Sequence, residues 1–195
     1  MYDETFLSHM SYSRCMAVTH DQLLRAAADF LGRRPNATQD EIAAAVGVSR
    51  ATLHRYFSGR RALTEALENL AVVEMRKVLK TVRLQDGTAT DALRRLIAAC
   101  QPVSPYLALL YSQSQELDFD NTQEAWLEID TEITALFQRG QHDGDFRHDL
   151  TAAWLTEALY SLVGGTAWAI RAGRVAERDF DRLITDLLLH GVHSA

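Results

Sequence analysis

Cysteine, proline and lysine are scarce in this chain, and each scarcity excludes something. Three prolines and ten glycines among 195 residues are too few for a turn-rich all-β fold. The two cysteines, Cys15 and Cys100, are far apart and match no metal or redox spacing, which reads as two reduced thiols in an intracellular protein. No apolar run approaches the roughly 20 residues that a membrane span needs. The start, Met1 to Met10, is polar and acidic without an apolar stretch, so secretion is not expected and the cytoplasm is the expected location. There is no His-Glu-x-x-His, no Gly-rich phosphate loop and no nucleophile–base pattern, so neither a cofactor nor an enzymatic activity is expected.

What is present suits a soluble globular protein of one domain, or a small module joined to a medium one. The chain is 47% hydrophobic and 24% charged, enough to bury a core. Its net charge of −6 excludes a generally basic nucleic-acid coat but conceals a division. Residues 1–61 hold eight arginines against six acids, a net of +2, whereas 62–195 hold twelve bases against twenty acids, a net of −8. Four arginines and no acid lie between Ser49 and Arg61. A basic contact module on an acidic body fits that asymmetry.

The local pattern of the basic part is helical. Thr19-His-Asp-Gln22 fits a capping box, followed by Leu23, Leu24, Ala27, Phe30 and Leu31 at helical spacing before Pro35. A second box, Thr38-Gln-Asp-Glu41, opens a short helix that Gly47 ends. Ser49 then suits the cap of a third short helix, Arg50 to Tyr56. Two short helices joined by a Gly-containing turn make a helix-turn-helix. Leu53 and Phe57 share one face for packing, which leaves Ala51, His54 and Arg55 on the opposite arc with Arg50 in the first turn. Arginine can bond two acceptors on guanine and a methyl can meet thymine, so that arc suits the major groove.

The run from Thr38 to Leu63, TQDEIAAAVGVSRATLHRYFSGRRAL, closely resembles the DNA-binding signature of the TetR family of transcriptional regulators, with the likeness specific over about residues 19–65. The resemblance implies that Thr38 meets phosphate with Gln39 beside it at the DNA, that Arg50, Ala51 and Thr52 approach base edges, and that Tyr56 contacts phosphate. His54 stands where the family usually has tyrosine and is a candidate DNA contact in its place. Arg60 matches a basic residue that holds the DNA backbone from outside the groove, and Arg61 replaces a common acid. The implied organisation is an extension at 1–18, a helix-turn-helix domain at 19–65 and an effector-binding and dimerisation domain at 66–195.

The acidic body shows no alternating strand and continues as helices, about Leu63–Val82, Thr90–Cys100, Tyr106–Gln115, Thr122–Gln141, Thr151–Ala172 and Glu177–His190, with Ser104 expected as a cap before Pro105. The chain therefore reads as all-α, a three-helix DNA-binding bundle followed by a helical domain, about nine helices in all. Glu124, Glu128 and Glu132 share a face that the spacing marks as solvated. Asp130 falls on the apolar flank, as a pocket carboxylate, a buried salt-bridge partner or a boundary residue. Tyr106, Leu110, Tyr111 and Phe119, with Trp126, Phe137 and Trp168, are candidates to line an effector cavity, plain core being the alternative for each. In the stretch His142–Asp149 two histidines and three carboxylates offer the alternative of a metal-dependent helical enzyme. Their loop spacing favours no metal, with Asp149 as a helix cap.

The last two helices carry broad apolar stripes that include Trp154, Leu155, Ala158, Leu162 and Gly165, then Phe180, Ile184, Leu187 and Leu188. The resemblance implies that these pair across a two-fold axis. The expected protein is a homodimer on double-stranded operator DNA, a repressor released by an unidentified small-molecule effector.

Overall fold

The computed structural model describes residues 19–113 and 124–192. Among these it contains nine α-helices and no strand: α1 His20–Arg33, α2 Gln39–Ala45, α3 Arg50–Tyr56, α4 Arg60–Val82, α5 Ala89–Cys100, α6 Ser104–Gln113, α7 Glu124–His142, α8 Ala152–Arg171 and α9 Phe180–Val192. Short 3-10 turns precede α6 and α9.

Hydroxyl caps start most of these helices. Thr19 and Gln22 exchange hydrogen bonds at α1, as do Thr38 and Glu41 at α2, so both capping boxes form. Ser49 accepts from the Thr52 N–H at 3.1 Å to open α3. Gly47 adopts a φ of +74° after α2, which a side chain would resist. Thr151, not Asp149, caps α8, because its hydroxyl accepts from the Trp154 N–H while Asp149 is engaged by Arg147. Ser104 lies inside its helix and donates to the Gln101 carbonyl, since Pro102 has already started the chain turning in the preceding 3-10 segment. Helix α9 runs through Gly191 to Val192, so that glycine does not close it.

Two cores result. The head core joins Leu23, Ala27 and Leu31 of α1 to Ile42 of α2, Leu53 of α3, Phe57, and Leu63, Leu67 and Leu70 of α4. The body core collects Val72, Met75 and Leu79 from the far half of α4 with apolar residues of α5 and α7–α9. Helix α4 thus belongs to both, and Leu109 of α6 is buried in the head core. The C-terminal end of α4 is tied down by two arginines. Arg95 donates to the carbonyls of Val82, Arg83 and Asp86, and Arg139 to those of Leu84, Gln85 and Gly87. Cationic donors on otherwise unpaired carbonyls stabilise a helix terminus.

The His142–Asp149 stretch is anchored rather than loose. Phe146 is fully buried against Phe137, and Gly140 admits it, since a Cβ there would overlap the Phe146 ring. The Gln141 amide donates to the carbonyls of Arg147 and Leu150 at 2.8 and 2.7 Å. Among the described residues no three His, Cys, Asp or Glu side chains gather into a metal cage. No helix among them is long and apolar enough to cross a membrane.

Candidate nucleic-acid interface and effector site

Helix α3 is presented outward. Leu53 is fully buried and Phe57 nearly so, which seats one face on the head core, while Arg50, Ala51, His54 and Arg55 are exposed on the other. Arg50 reaches α2 and pairs with Asp40 at 3.0 Å, with both side chains still largely exposed. That pair is an exchangeable one, since a surface ion pair is worth only about 0–1 kcal/mol. The Thr52 hydroxyl lies 2.9 Å from the Ser49 hydroxyl, so it serves the cap as well as facing outward. The Arg55 guanidinium stacks on the Tyr56 ring, and Tyr56 in turn packs near His20 and Phe57.

The positions around α3 divide. Thr38 is exposed at the start of α2, with its hydroxyl and N–H both bonded to the Glu41 carboxylate. Those bonds hold the Glu41 carboxyl below its ordinary pKa, the backbone N–H being the larger cause. Gln39 turns its amide nitrogen into a buried position without a hydrogen-bond partner. The Arg60 guanidinium donates to the carbonyls of Ala37 and Pro35, tying the α1–α2 loop to the start of α4. The neighbouring Arg61 is the exposed cation, paired only with Glu65 at 2.9 Å.

The described members of the predicted effector set lie in different parts of the molecule. Trp126 and Asp130 do converge: the Tyr160 hydroxyl donates to Asp130 at 2.8 Å and the Trp126 ring meets the Tyr160 ring edge-on. Glu157 stands close enough to Asp130 for each charge to oppose the other, and burial with that repulsion raises the Glu157 pKa. Burial, with Asp130 adding to it, raises the Tyr160 phenol as well, so it keeps its proton. Tyr106 is elsewhere, half-buried between the two cores with its hydroxyl 3.4 Å from Arg25. Phe137 is fully buried, and Trp168 is on the outside beneath the Arg174 guanidinium. Phe119 lies outside the described residues, as do the side chains of Leu110 and Tyr111. An open cleft of about 450 Å³ lies at the end of α4, lined by Leu79, Arg83, Leu84, Gln85, Asp86 and Glu132. Tyr160 and Glu157 were not anticipated, because nothing local in the sequence pairs α7 with α8.

The expected pairing face also needs correction. Leu155, Phe180, Ile184 and Leu188 are buried in the protomer's own core, because α8 and α9 close over α5 and α7. What remains outward is Trp154, Gly165 and Trp168 along one side of α8, with Ala158 and Leu162 half-covered, and Leu187 on α9. Trp154, Trp168 and Leu187 are 59%, 52% and 62% exposed, an unusual outlay of large apolar surface.

Known proteins share this arrangement. The sequence profile of bacterial regulatory proteins of the tetR family matches residues 23–67. The HTH-type transcriptional regulator NfxB of Pseudomonas aeruginosa is 34% identical over 177 residues, which span 89% of this chain and 95% of that protein. The chain belongs to the TetR family. It is also 26% identical over 170 residues to the HTH-type transcriptional repressor LfrR of Mycolicibacterium smegmatis, spanning 87% of this chain and 88% of that one. The crystal structure of LfrR in complex with proflavine superposes with a TM-score of 0.68 at 23% identity, covering 89% of this chain and 95% of that one. PfmR from Thermus thermophilus, another TetR-family regulator, gives 0.66 at 21% identity, covering 91% and 98%. This TetR-family chain is accordingly a DNA-binding transcriptional regulator, with the exposed arc of α3 in its helix-turn-helix.

Proposed function

We propose that the chain is a cytoplasmic, homodimeric repressor that reads a near-palindromic operator and is released by a flat aromatic cation. The observation that carries the DNA reading is the outward arc of α3, with Arg50, Ala51, His54 and Arg55 exposed while Leu53 and Phe57 hold the helix in place. Residues 19–65 form the reading head and 66–195 the effector and dimer domain. Arg50, Ala51, Thr52 and His54 approach base edges. Thr38 and Tyr56 are assigned to phosphate, with Gln39 beside Thr38, and Arg61 takes the place expected of Arg60. Two copies of α3 must enter successive major grooves about 34 Å apart.

The effector assignment rests on Asp130, Glu157, Tyr160 and Trp126. Two carboxylates that repel each other beside aromatic rings would gain from a cation, because the ligand's charge relieves the repulsion and its ring stacks. Proflavine, seen with LfrR, has that chemistry. Release follows only if the ligand prefers a conformation whose readers are wrongly spaced.

Duplexes selected by the full-length protein from a random pool give the test. Changing Arg50 and Thr52 together to alanine is expected to reduce discrimination between selected and scrambled duplex at least tenfold, and unchanged discrimination would refute the site. Asp130→Asn keeps an acceptor for Tyr160 but removes the charge. It is expected to weaken proflavine binding about tenfold, roughly 1.4 kcal/mol. Equal affinity in the variant would refute the cation site.

A further inference from the structure

Gly32 occupies the last turn of α1 in ordinary right-handed conformation, and the cap of that helix is Arg34. It is therefore not a left-handed stop, and glycine within a helix costs up to about 1 kcal/mol relative to alanine. Its use is space. A Cβ at position 32 would overlap Nη1 of Arg171 and stand 3.0 Å from its Cζ. Arg171 is the final residue of α8. Its side chain is partly withdrawn from water, and its Nε is buried with no hydrogen-bond partner. Burial pulls the guanidinium below its ordinary pKa, Asp29 opposes that shift and Arg33 adds to it. A guanidinium on a flexible stem ordinarily escapes to water. Here the last turn of α1, where the helix dipole leaves partial negative charge, holds Gly32 against it.

Helix α8 is a single 20-residue rod. Near its middle it bears Glu157 and Tyr160, on its outer side Trp154 and Trp168, and at its end Arg171. We propose that Arg171, seated in the notch left by Gly32, is a coupling contact that joins α8 directly to the DNA-reading head, separate from the connections through α4 and α6. It rests on the DNA-reading part of the proposed function and not on the effector assignment.

Coupling between sites is reciprocal, so duplex binding at the head must be felt at the end of α8. Hydrogen exchange of the full-length protein, with and without a selected duplex, reads this. In the wild type, duplex is expected to change exchange of the amides of residues 168–174 at least about threefold. In Gly32→Ala the guanidinium must leave the notch, so that change is expected to vanish. Duplex affinity should stay within about threefold and the melting temperature should not fall, because alanine favours the helix. Arg171→Ala carries the same expectation without touching α1. A wild type with no response at 168–174, or a response that persists in either variant, overturns the coupling contact. Failure of the wild type to select any duplex would remove the DNA reading and this contact together, whereas indifference to proflavine would remove the effector assignment alone.

Discussion

Glu74 illustrates how single side chains hold the head against the body. It accepts from Arg25 of α1 at 2.7 Å and from Lys77 at 3.1 Å, and the Arg25 bond is the main reason its pKa lies below the ordinary 4.5. A carboxylate with a lowered folded pKa contributes stability that is complete above its unfolded pKa and is lost as pH falls through the folded value. Glu74→Gln should therefore cost about 1 kcal/mol near neutrality, allowing for the partial exposure of Arg25. The deficit should shrink as pH falls below about 4.5, where the unfolded chain takes up a proton that the folded carboxylate still resists, and vanish below the lowered folded value. Urea titrations at pH 7 and pH 3.5 would check this, and a deficit equal at both values would disprove it. The thiol of Cys100, pushed up to about 12 by burial, should take no part in thiol chemistry in the folded protein.

At the scale of elements, the starts of the first three helices were legible because Thr19, Thr38 and Ser49 satisfy free N–H groups within three residues of themselves. Pairings between helices were not. The bond from Tyr160 to Asp130 spans thirty positions, and Arg60 bonds carbonyls in a loop more than twenty residues earlier. Phe146 looked like part of a polar loop, and only the space above Gly140 reveals it as core. The outward side of α3 could be read correctly because Leu53 and Phe57 declare the inward one. Leu53→Ala should cost about 2–5 kcal/mol, since the side chain is fully buried. It should also abolish selected-duplex binding while leaving the exposed arc chemically intact. Calorimetry with a binding titration would test both, and normal affinity in a destabilised protein would separate α3 seating from DNA reading.

For the whole molecule, exposed Trp154, Trp168 and Leu187 are the surface on which the proposed homodimer would pair. Leu187→Glu places a charge on a side chain that is 62% exposed in the protomer, so protomer stability should hardly change. The mass in sedimentation is expected to halve, and duplex affinity to fall with it. A dimer that persists in this variant would move the pairing face elsewhere.

The position of Leu109 has its own consequence. A body residue joins the core of the head together with Leu67 and Leu70, so residues 19–65 do not enclose a finished interior by themselves. Excised or grafted onto a foreign partner, that fragment would carry an open socket. An exchange of DNA specificity between related regulators would then have to transplant the residue that plugs it as well.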